Sequence, residues 1–402
     1  MSRYRRLPSR RKRTGLLAPR CEADGVDRSG EPTREVLPET RQRGRYELVP
    51  GDIRLHRRDI LALAVRNLPA TREIAEARYE KYYKNNPLGR PHLALARDRA
   101  SQAVVGMATL FPTHLSFSGT LIPAAISGDF AVEPGHRGLG PAVALQRNLL
   151  SALAPIGISC AYGSPNESAE PILDRVGYTD VGRFVRFVRI VRTRFLVERY
   201  LRHATVARFA SAVSSATVDP LLALVFRERR HRLPHGLTIQ KPLLFDDTFS
   251  DVWKAMSRQP LASSERSSEV LNWKYELPQR AQMRPYRIFA LIVDGAHVAG
   301  YIVYVEKSGI RHVFDIAFLP SRSIVDALLS EFVLDSSKNG SAAIALLYLG
   351  PDTLLTRRLE AFGFFRRREE HGLRVYVPTE LATGVDLTCR KNWYFLAGDT
   401  DV

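Results

Sequence analysis

The residues best suited to chemistry lie in one stretch, Asp129–Ala142, in which an apolar strand runs through a turn into a helix. Gly138 and Gly140 let the backbone approach a ligand closely. The unpaired N–H groups of a first helical turn, together with the helix dipole, attract an anion such as a pyrophosphate. Pro141 suits a first helical position, where no N–H donor is needed. The stretch predicts an anion cradle; the alternative is a plain strand–turn–helix joint whose glycines serve only the turn.

The elements that must position this stretch follow from the spacing of apolar residues. Strands are predicted at 46–50, 92–97, 102–117, 121–132, 157–162 and 178–191, and helices at 56–67, 70–83, 141–153 and 168–176. Their order is strand, two helices, three strands, helix, strand, helix, strand. Such an order predicts an α/β fold with a mixed sheet and helices on both faces.

A similar succession of elements recurs in residues 236–380. It includes a hairpin of two strands, 286–293 and 297–306, joined through Asp294-Gly295, which is a favoured turn pair. The chain of 402 residues is long enough for two domains. We predict a disordered basic tail (1–45), a first domain (46–192), a basic helical connector (193–235) and a second, degenerate domain of the same architecture with an aromatic C-terminal tail (236–402).

The net charge of +17 is concentrated in two segments. Residues 1–45 hold 13 Arg and Lys against 6 Asp and Glu, and residues 183–232 hold 12 against 3. The rest of the chain is nearly balanced, so we do not expect a folded nucleic-acid-binding face. Residues 193–232 place Arg among Leu, Val and Phe, which is compatible with peripheral membrane contact, but a helical bridge between the two halves is the preferred interpretation.

Cysteine content and hydropathy place the protein in the cytoplasm by default. Cys21, Cys160 and Cys389 are few and far apart, so the sequence predicts neither a disulfide framework nor a metal site. No apolar run is long enough for a transmembrane helix. The basic N-terminus is not followed by the apolar core of a signal peptide.

The central stretch resembles the acyl-CoA motif of the GNAT acetyltransferase family, Arg/Gln-x-x-Gly-x-Gly/Ala after a strand that ends in Val-x-Pro. The matching residues are Val132, Pro134, Arg137, Gly140 and Ala142. The next block of the family, a strand, an Asn, a helix and a Gly-aromatic pair, resembles the stretch from Tyr162 to Tyr178. The resemblance covers about residues 46–190. Residues 236–380 also resemble a GNAT domain in layout, with Ala361–Phe364 at the helix-to-strand junction, which implies two GNAT-like domains in tandem.

The resemblance also implies a site. It predicts a V-shaped opening in the sheet, where the pantetheine arm of acetyl-CoA or another acyl-CoA lies as an extra strand. The cofactor-binding residues implied are Phe130, Ala131, Val132, Arg137, Gly138, Leu139, Gly140, Pro141, Ala142 and Asn166. The backbone of Phe130 and Val132 would pair with pantetheine, the N–H groups of Gly138 to Ala142 would hold the pyrophosphate, and Asn166 would lie near the thiol.

Transfer to an amine requires removal of a proton from the amine and protonation of the leaving thiolate. Asp129 and Glu133 flank the strand and are the candidate bases, with Asp129 preferred; an orienting carboxylate is the alternative for it. Many family members place a Tyr four residues before the Gly-aromatic pair to protonate the thiolate, but this sequence has Leu173 there. Tyr162, Tyr178 or water are the candidates to replace it.

The second half has Phe318–Ile324 where a pyrophosphate loop would lie, without the glycines, so we do not expect it to bind acyl-CoA. The C-terminal stretch around Trp393 resembles the end of tandem GNAT-like proteins of surface-polysaccharide pathways. Together with the aromatic residues around Trp273, it suggests an amino-sugar or other small-metabolite acceptor. The function predicted is N-acyl transfer from acyl-CoA to an amine; the alternatives are transfer to a protein or peptide amine and a non-catalytic acyl-CoA sensor.

Overall fold

The computed structural model describes residues 44–68, 70–192, 235–275, 286–378 and 384–400. The predicted basic tail (1–45) except its last two residues, the predicted connector (193–235) except its last residue, and residues 401–402 of the predicted second domain lie outside the described residues. All of the described residues belong to one compact unit. The division into domains at 192 and 236 therefore remains a prediction, and we refer below to residues 44–192 as the first half and 235–400 as the second half.

The first half alternates strands with helices in the predicted order. Its elements are β1 (Tyr46–Pro50), α1 (Arg57–Asn67), α2 (Arg72–Arg78) with a π-helical turn (Tyr79–Lys84), β2 (His92–Asp98), β3 (Val104–Phe117), β4 (Thr120–Val132), a 3-10 turn (Pro134–His136), α3 (Leu139–Ala152), β5 (Cys160–Gly163), α4 (Glu170–Arg175) and β6 (Thr179–Ile190).

The second half is built in the same way. Its elements are β7 (Leu237–Gln240), a 3-10 turn (Asp247–Phe249), α5 (Ser250–Ser257), β8 (Ser263–Ser264), α6 (Ser268–Tyr275), β9 (Arg287–Val293), β10 (His297–Lys307), β11 (Ile310–Phe318), α7 (Arg322–Lys338), β12 (Ala343–Leu349), α8 (Leu354–Ala361), β13 (Phe365–Tyr376), a 3-10 turn (Arg390–Asn392), β14 (Phe395–Leu396) and α9 (Ala397–Thr400).

The strands form one mixed sheet, so the predicted α/β class is confirmed. Its strand order is β1-β2-β3-β4-β5-β13-β6-β12-β11-β10-β9-β7, with β14 paired to β12 and β8 paired to β3. β13 lies between β5 and β6, and β6 lies between β13 and β12. Each half therefore completes its part of the sheet with a strand from the other half.

Ion pairs reinforce this strand exchange. Arg374 on β13 is buried and contacts carboxylates of the first half, with Nε 2.9 Å from Asp174 Oδ1 and Nη1 2.6 Å from Asp180 Oδ1. Asp174 belongs to α4 and Asp180 to β6. The guanidinium thus ties the end of the second half to two elements of the first half, and these contacts span about half of the chain in sequence.

Local sequence explains two details of the strands. The β9–β10 hairpin turns at Asp294 (φ 49°) and Gly295 (φ 73°), as the Asp-Gly pair predicts. Pro112 lies inside β3, beyond Leu110, the last residue of β3 that pairs with β2. Its carbonyl faces away from β4 and accepts a hydrogen bond from Asn86 Nδ2 at 3.0 Å. The missing N–H of Pro112 therefore costs no ladder hydrogen bond.

Apolar residues cover both faces of the sheet. In the first half, α1 and α2 pack on one face, around Phe111 and Tyr162, and α3 packs on the other, around Leu110 and Leu145. Within the described ranges, every helix is too short or too polar to cross a bilayer.

Candidate active site

The main feature of the first half is a gap between β4 and β5. The two strands pair in parallel only where Ala124–Ile126 lies beside Cys160–Tyr162. β4 continues through Ser127–Val132 with no partner on that side among the described residues, while β5 ends at Gly163. We call this opening the first wedge. The GNAT resemblance implies an opening in the sheet, and the pairing of β4 with β5 ends here.

A β-bulge deforms β4 inside the first wedge. The register of β4 against β3 shifts between Gly128 and Ala131, so that Asp129 and Phe130 together face one residue of β3. Asp129 adopts φ 44°, in the left-handed region that Asp tolerates better than most residues. The bulge directs the Asp129 side chain toward α2, on the face opposite to α3.

Asp129 is buried, and both of its carboxylate oxygens accept a donor. Arg78 Nε donates to Oδ1 at 2.8 Å, and the Tyr83 hydroxyl donates to Oδ2 at 2.9 Å. The Tyr83 oxygen also lies 3.1 Å from Thr109 Oγ1. Tyr83 belongs to the π-helical turn after α2, and such turns are frequent at functional sites. The carboxylate is thereby fixed relative to the wedge.

At the end of β4, some backbone N–H and C=O groups point into the first wedge. Glu133 N–H donates to Val105 O of β3 at 2.8 Å. Because successive residues of a strand direct their backbone groups to opposite sides, those of Val132 point away from β3 and into the wedge. Ala131 pairs with Met107, so its backbone groups face β3. Phe130 lies in the bulge, and its side chain packs partly buried against the core under α3.

The N-terminus of α3 lies directly beyond the wedge. Gly138 is its N-cap, with extended backbone and no side-chain cap. The N–H groups of Gly138, Leu139 and Gly140 have no acceptor inside the helix, whereas the N–H of Ala142 reaches back to the Gly138 carbonyl in regular helical geometry. Pro141 is the third helical residue, not the first as predicted, but it still lies in the turn that needs no donor. A Cβ on Gly138 would meet nothing within 4 Å, so this helix end is open.

Two side chains of α1 hold the loop between β4 and α3. Arg137 Nε donates to Val132 O at 3.0 Å, and its Nη2 donates to Asn67 Oδ1 at 3.1 Å. Glu133 Oε1 lies 2.8 Å from Arg66 Nη2. Arg137 therefore closes the loop by folding over the end of β4, and Glu133 is paired at the rim of the wedge.

The two candidate tyrosines lie on opposite faces of the sheet. Tyr162 belongs to the core under α1 and α2, and its ring contacts Trp393 and Phe395 at centroid distances of 6.0 and 5.2 Å. Its hydroxyl lies beside that of Ser264 without hydrogen-bond geometry. Burial raises the pKa of Tyr162 above its ordinary value.

Tyr178 belongs to the core under α3. Its hydroxyl lies beside Ser127, the first unpaired residue of β4 in the wedge, and has no hydrogen-bond partner among the described residues. Burial raises the pKa of Tyr178, so the hydroxyl stays protonated at neutral pH. Of the two tyrosines, Tyr178 is the one whose hydroxyl lies next to a residue in the unpaired part of β4.

Comparison with known proteins identifies this arrangement. Residues 59–181 match the sequence family described as the acetyltransferase (GNAT) domain. This segment contains the wedge, the bulge and the start of α3. The first half thus matches a GNAT domain over most of its length. No curated protein sequence matches the chain.

Solved structures share the fold over most of the chain. A probable N-acyltransferase from Enterococcus faecalis V583 superposes with a TM-score of 0.59 at 15% identity, covering 83% of this chain and 72% of that one. A GCN5-related N-acetyltransferase from Anabaena variabilis gives 0.59 at 12% identity, covering 83% and 73%. One from Kribbella flavida gives 0.53 at 13% identity, covering 83% and 72%. At these identities the likeness extends to the fold alone.

Leu173 and Asn166 stand at two positions of the GNAT pattern, and both differ from it, Leu173 in residue type and Asn166 in its contacts. Leu173, where many GNAT domains have a tyrosine, is buried under α3. Asn166 is exposed, and its Oδ1 accepts from Ser168 Oγ at 2.8 Å and from Ala169 N–H at 3.0 Å. Asn166 therefore organises the turn that leads into α4. Its side-chain Nδ2 makes no hydrogen bond within the described residues.

Several residues of the site carried no sequence signal. Arg78, Tyr83 and Ser127 are separated from the glycine loop, and only the fold brings them to the wedge. Gly163 could have been found, because a glycine that ends a buried strand often marks close backbone approach. The described residues contain no cluster of three or more His, Cys, Asp or Glu placed to hold a metal ion.

Proposed function

We propose that the first wedge binds acyl-CoA and that the protein transfers the acyl group to the nitrogen of a small amine. The observation that supports this most is the opening between β4 and β5, which leads directly to the uncapped N-terminus of α3. GNAT domains use acetyl-CoA as co-substrate, and the wedge offers what this ligand needs. The extended pantetheine arm would form hydrogen bonds with the unpaired backbone of β4. The diphosphate would accept hydrogen bonds from the free N–H groups at the N-terminus of α3.

The diphosphate would accept hydrogen bonds from the N–H groups of Gly138, Leu139 and Gly140. The absence of a side chain at Gly138 lets the phosphate oxygens approach the backbone, since that position opens to solvent. Arg137 is engaged with Val132 and Asn67, so in this proposal it holds the loop in shape rather than pairing directly with the diphosphate.

The acceptor amine would enter from the face of α1 and α2. There Asp129 provides a fixed carboxylate at the bulge, which would attract the ammonium form and orient it toward the thioester. Glu133, whose ion pair with Arg66 is partly exposed, would pass the amine proton to solvent. The neutral amine then attacks the thioester carbonyl carbon, forming the C–N bond, and the nitrogen of the adduct loses its second proton to solvent by the same route as the amide forms.

Collapse of the tetrahedral adduct breaks the C–S bond and releases the CoA thiolate, which takes a proton. We assign this proton to the Tyr178 hydroxyl, because it lies beside Ser127 on the face of α3 and is protonated at neutral pH. Tyr162 is less suitable, since it lies on the opposite face of the sheet, with its hydroxyl beside Ser264 of the second half. Tyr178 would later recover its proton from solvent.

The acceptor class is an amino sugar or another small amine. Trp393 is fully buried and donates its indole N–H to Leu387 O, so it offers no face to a sugar. Trp273 is partly buried, with its indole N–H on Lys81 O and its ring against Tyr82. Of the two aromatic regions suggested by the sequence, that of Trp273 is thus the more exposed and the better candidate to contact the acceptor.

A non-catalytic acyl-CoA sensor is the second candidate, favoured by Leu173 in the place of the usual tyrosine. The two functions are separated by measuring release of free CoA thiol from acetyl-CoA with a panel of amino sugars, small aliphatic amines and peptides. Amine-dependent thiol release supports the acyltransferase. Tight CoA binding without release from any amine contradicts it and supports the sensor.

A further inference from the structure

The second half contains a wedge of its own. β11 and β12 pair in parallel only from Ile310 to Val313 on β11, and β11 then continues to Phe318. The correspondence with the first half extends to single residues. Gly106 pairs with Val132 as Gly300 pairs with Phe318. We call the opening between β11 and β12 the second wedge.

The loop that follows each wedge differs in length. Six residues, Glu133–Gly138, lead from β4 into α3, but only three, Leu319–Ser321, lead from β11 into α7. The second loop thus lacks a counterpart of the Pro134–His136 turn. It has Ser321 at the N-cap, where the first loop has Gly138.

The chain's own C-terminal segment occupies the second wedge. β14 pairs with β12 through Tyr348 and Leu349, on the side that β11 leaves. The Tyr394 hydroxyl donates to Ile316 O of β11 at 2.9 Å. Gly398 packs so closely on β11 that an added Cβ would lie 3.0 Å from Phe314 O. The segment Trp393–Thr400, which we call the tail segment, therefore bridges both walls of the second wedge.

A buried charge cluster holds the tail segment in place. Arg266 Nη2 contacts both oxygens of Asp399, at 3.1 and 2.9 Å, while its Nε contacts Asp315 of β11 at 3.0 Å. Lys274 Nζ lies 3.3 Å from Asp399 Oδ1, and the Leu396 N–H donates to Oδ2 at 2.8 Å. Two cations thus balance two carboxylates. Burial opposes ionisation of Asp399, but Arg266 and Lys274 outweigh it and hold the pKa of Asp399 below its ordinary value.

We infer that the second half is a docking site for the C-terminus of the same chain, in which the tail segment takes the position that an acyl-pantetheine arm takes in the first wedge. The tail segment lies between the diverging strands as a short extra strand, and Asp399 anchors its far end on Arg266. This inference concerns the second wedge and does not require the first wedge to be catalytic.

Docking has a consequence for the first half. The tail segment presents Trp393 and Phe395 to the ring of Tyr162, and the Tyr394 N–H donates to Ala262 O at 2.9 Å, next to β8. β8 in turn pairs with β3 of the first half. The docked tail segment thus packs on the same face of the sheet as α1 and α2. In the proposed function, the amine enters from this face.

Hydrogen–deuterium exchange on the full-length protein tests the inference. In the wild type, amides of the tail segment should exchange as slowly as those of β12. Asp399→Asn removes the charge that binds Arg266 and should accelerate exchange at 393–400 by about tenfold or more, since the buried hydrogen bonds between charged groups that hold the segment are weakened. Gly398→Ala should release the segment by clashing with Tyr275 and Phe314 instead.

Matched controls separate docking from general destabilisation. Asp352→Asn removes one exposed carboxylate paired with Arg366, and Gly135→Ala adds a methyl group in open space. Both should leave tail exchange unchanged. The inference is overturned by rapid tail exchange in the wild type, by no change in both tail variants, or by two CoA molecules bound per wild-type chain. Absence of any CoA binding would contradict the proposed function alone, and tail exchange would still decide the docking.

Discussion

Gly163 and Ser127 mark the point at which β5 and β4 separate: a Cβ on Gly163 would lie 2.9 Å from the Ser127 carbonyl oxygen. On one side of this contact the strands pair, and on the other they form the first wedge. The shape of the candidate site thus depends on one close backbone approach that only glycine permits.

Replacing this glycine should be costly. In Gly163→Ala the new methyl group meets a backbone oxygen, which can move only if the β4–β5 pairing shifts. We expect a loss of about 1–3 kcal/mol in the free energy of unfolding, as for other overpacked sites, measured by urea denaturation. Gly135→Ala, at an open position, is the control. Equal stability of the two variants would disprove the close approach.

The tyrosine assignment can be tested with a pair of variants. Tyr178→Phe should lower kcat by about 10²-fold or more, as expected for loss of a general acid, with little change in the KM for acetyl-CoA. Tyr162→Phe, which removes a hydroxyl on the opposite face, should retain most of kcat. The measurement is steady-state thiol release with the best amine found. A larger loss in Tyr162→Phe than in Tyr178→Phe would reverse the assignment.

The contact between His114 and Glu265 links the halves and should appear in the pH dependence of stability. His114 Nδ1 lies 2.8 Å from Glu265 Oε2, and this hydrogen bond holds the pKa of Glu265 below its ordinary value. Glu265 therefore stays ionised to lower pH in the folded than in the unfolded protein. Its contribution is fully present above the unfolded-state pKa of about 4.3 and is lost as pH falls through the folded value.

Glu265→Gln removes this dependence. The difference in unfolding free energy between wild type and variant should be fully present above the unfolded-state pKa of about 4.3 and should shrink as the pH falls below it. Urea denaturation at a series of pH values measures it. A difference that stays constant from neutral pH to pH 3 would show that the pair does not stabilise the fold.

The sequence predicted the parts of the fold that depend on local pattern. The helix α1, the Asp294-Gly295 hairpin and the strand–turn–helix stretch around Gly138 each follow from the spacing or the turn preferences of neighbouring residues. The GNAT resemblance of the first half, read from that stretch and from the block up to Tyr178, is confirmed for residues 59–181.

Long-range pairing was not predictable from the same signals. Nothing local to β6 or β13 indicates that each lies in the other half of the sheet, because the alternation of apolar residues defines a strand but not its neighbour. The burial of Trp393 and the pairing of β14 with β12 could not be predicted from the sequence for the same reason. For the site, Asp129 was found from its place before the glycine loop, whereas its partners Arg78 and Tyr83 come from a distant turn.

The central claim, that acyl-CoA binds at the first wedge and the N-terminus of α3, is tested most directly by calorimetric titration of CoA into Gly138→Asp. Asp is at least as good an N-cap as Gly, so the variant should be as stable as the wild type or more so. Its carboxylate would take the N–H groups that bind the diphosphate and repel it, so affinity for CoA should fall by about tenfold or more. Gly135→Asp, with the same added charge in open space, should bind CoA nearly as the wild type does. Wild-type affinity in Gly138→Asp would contradict the claim.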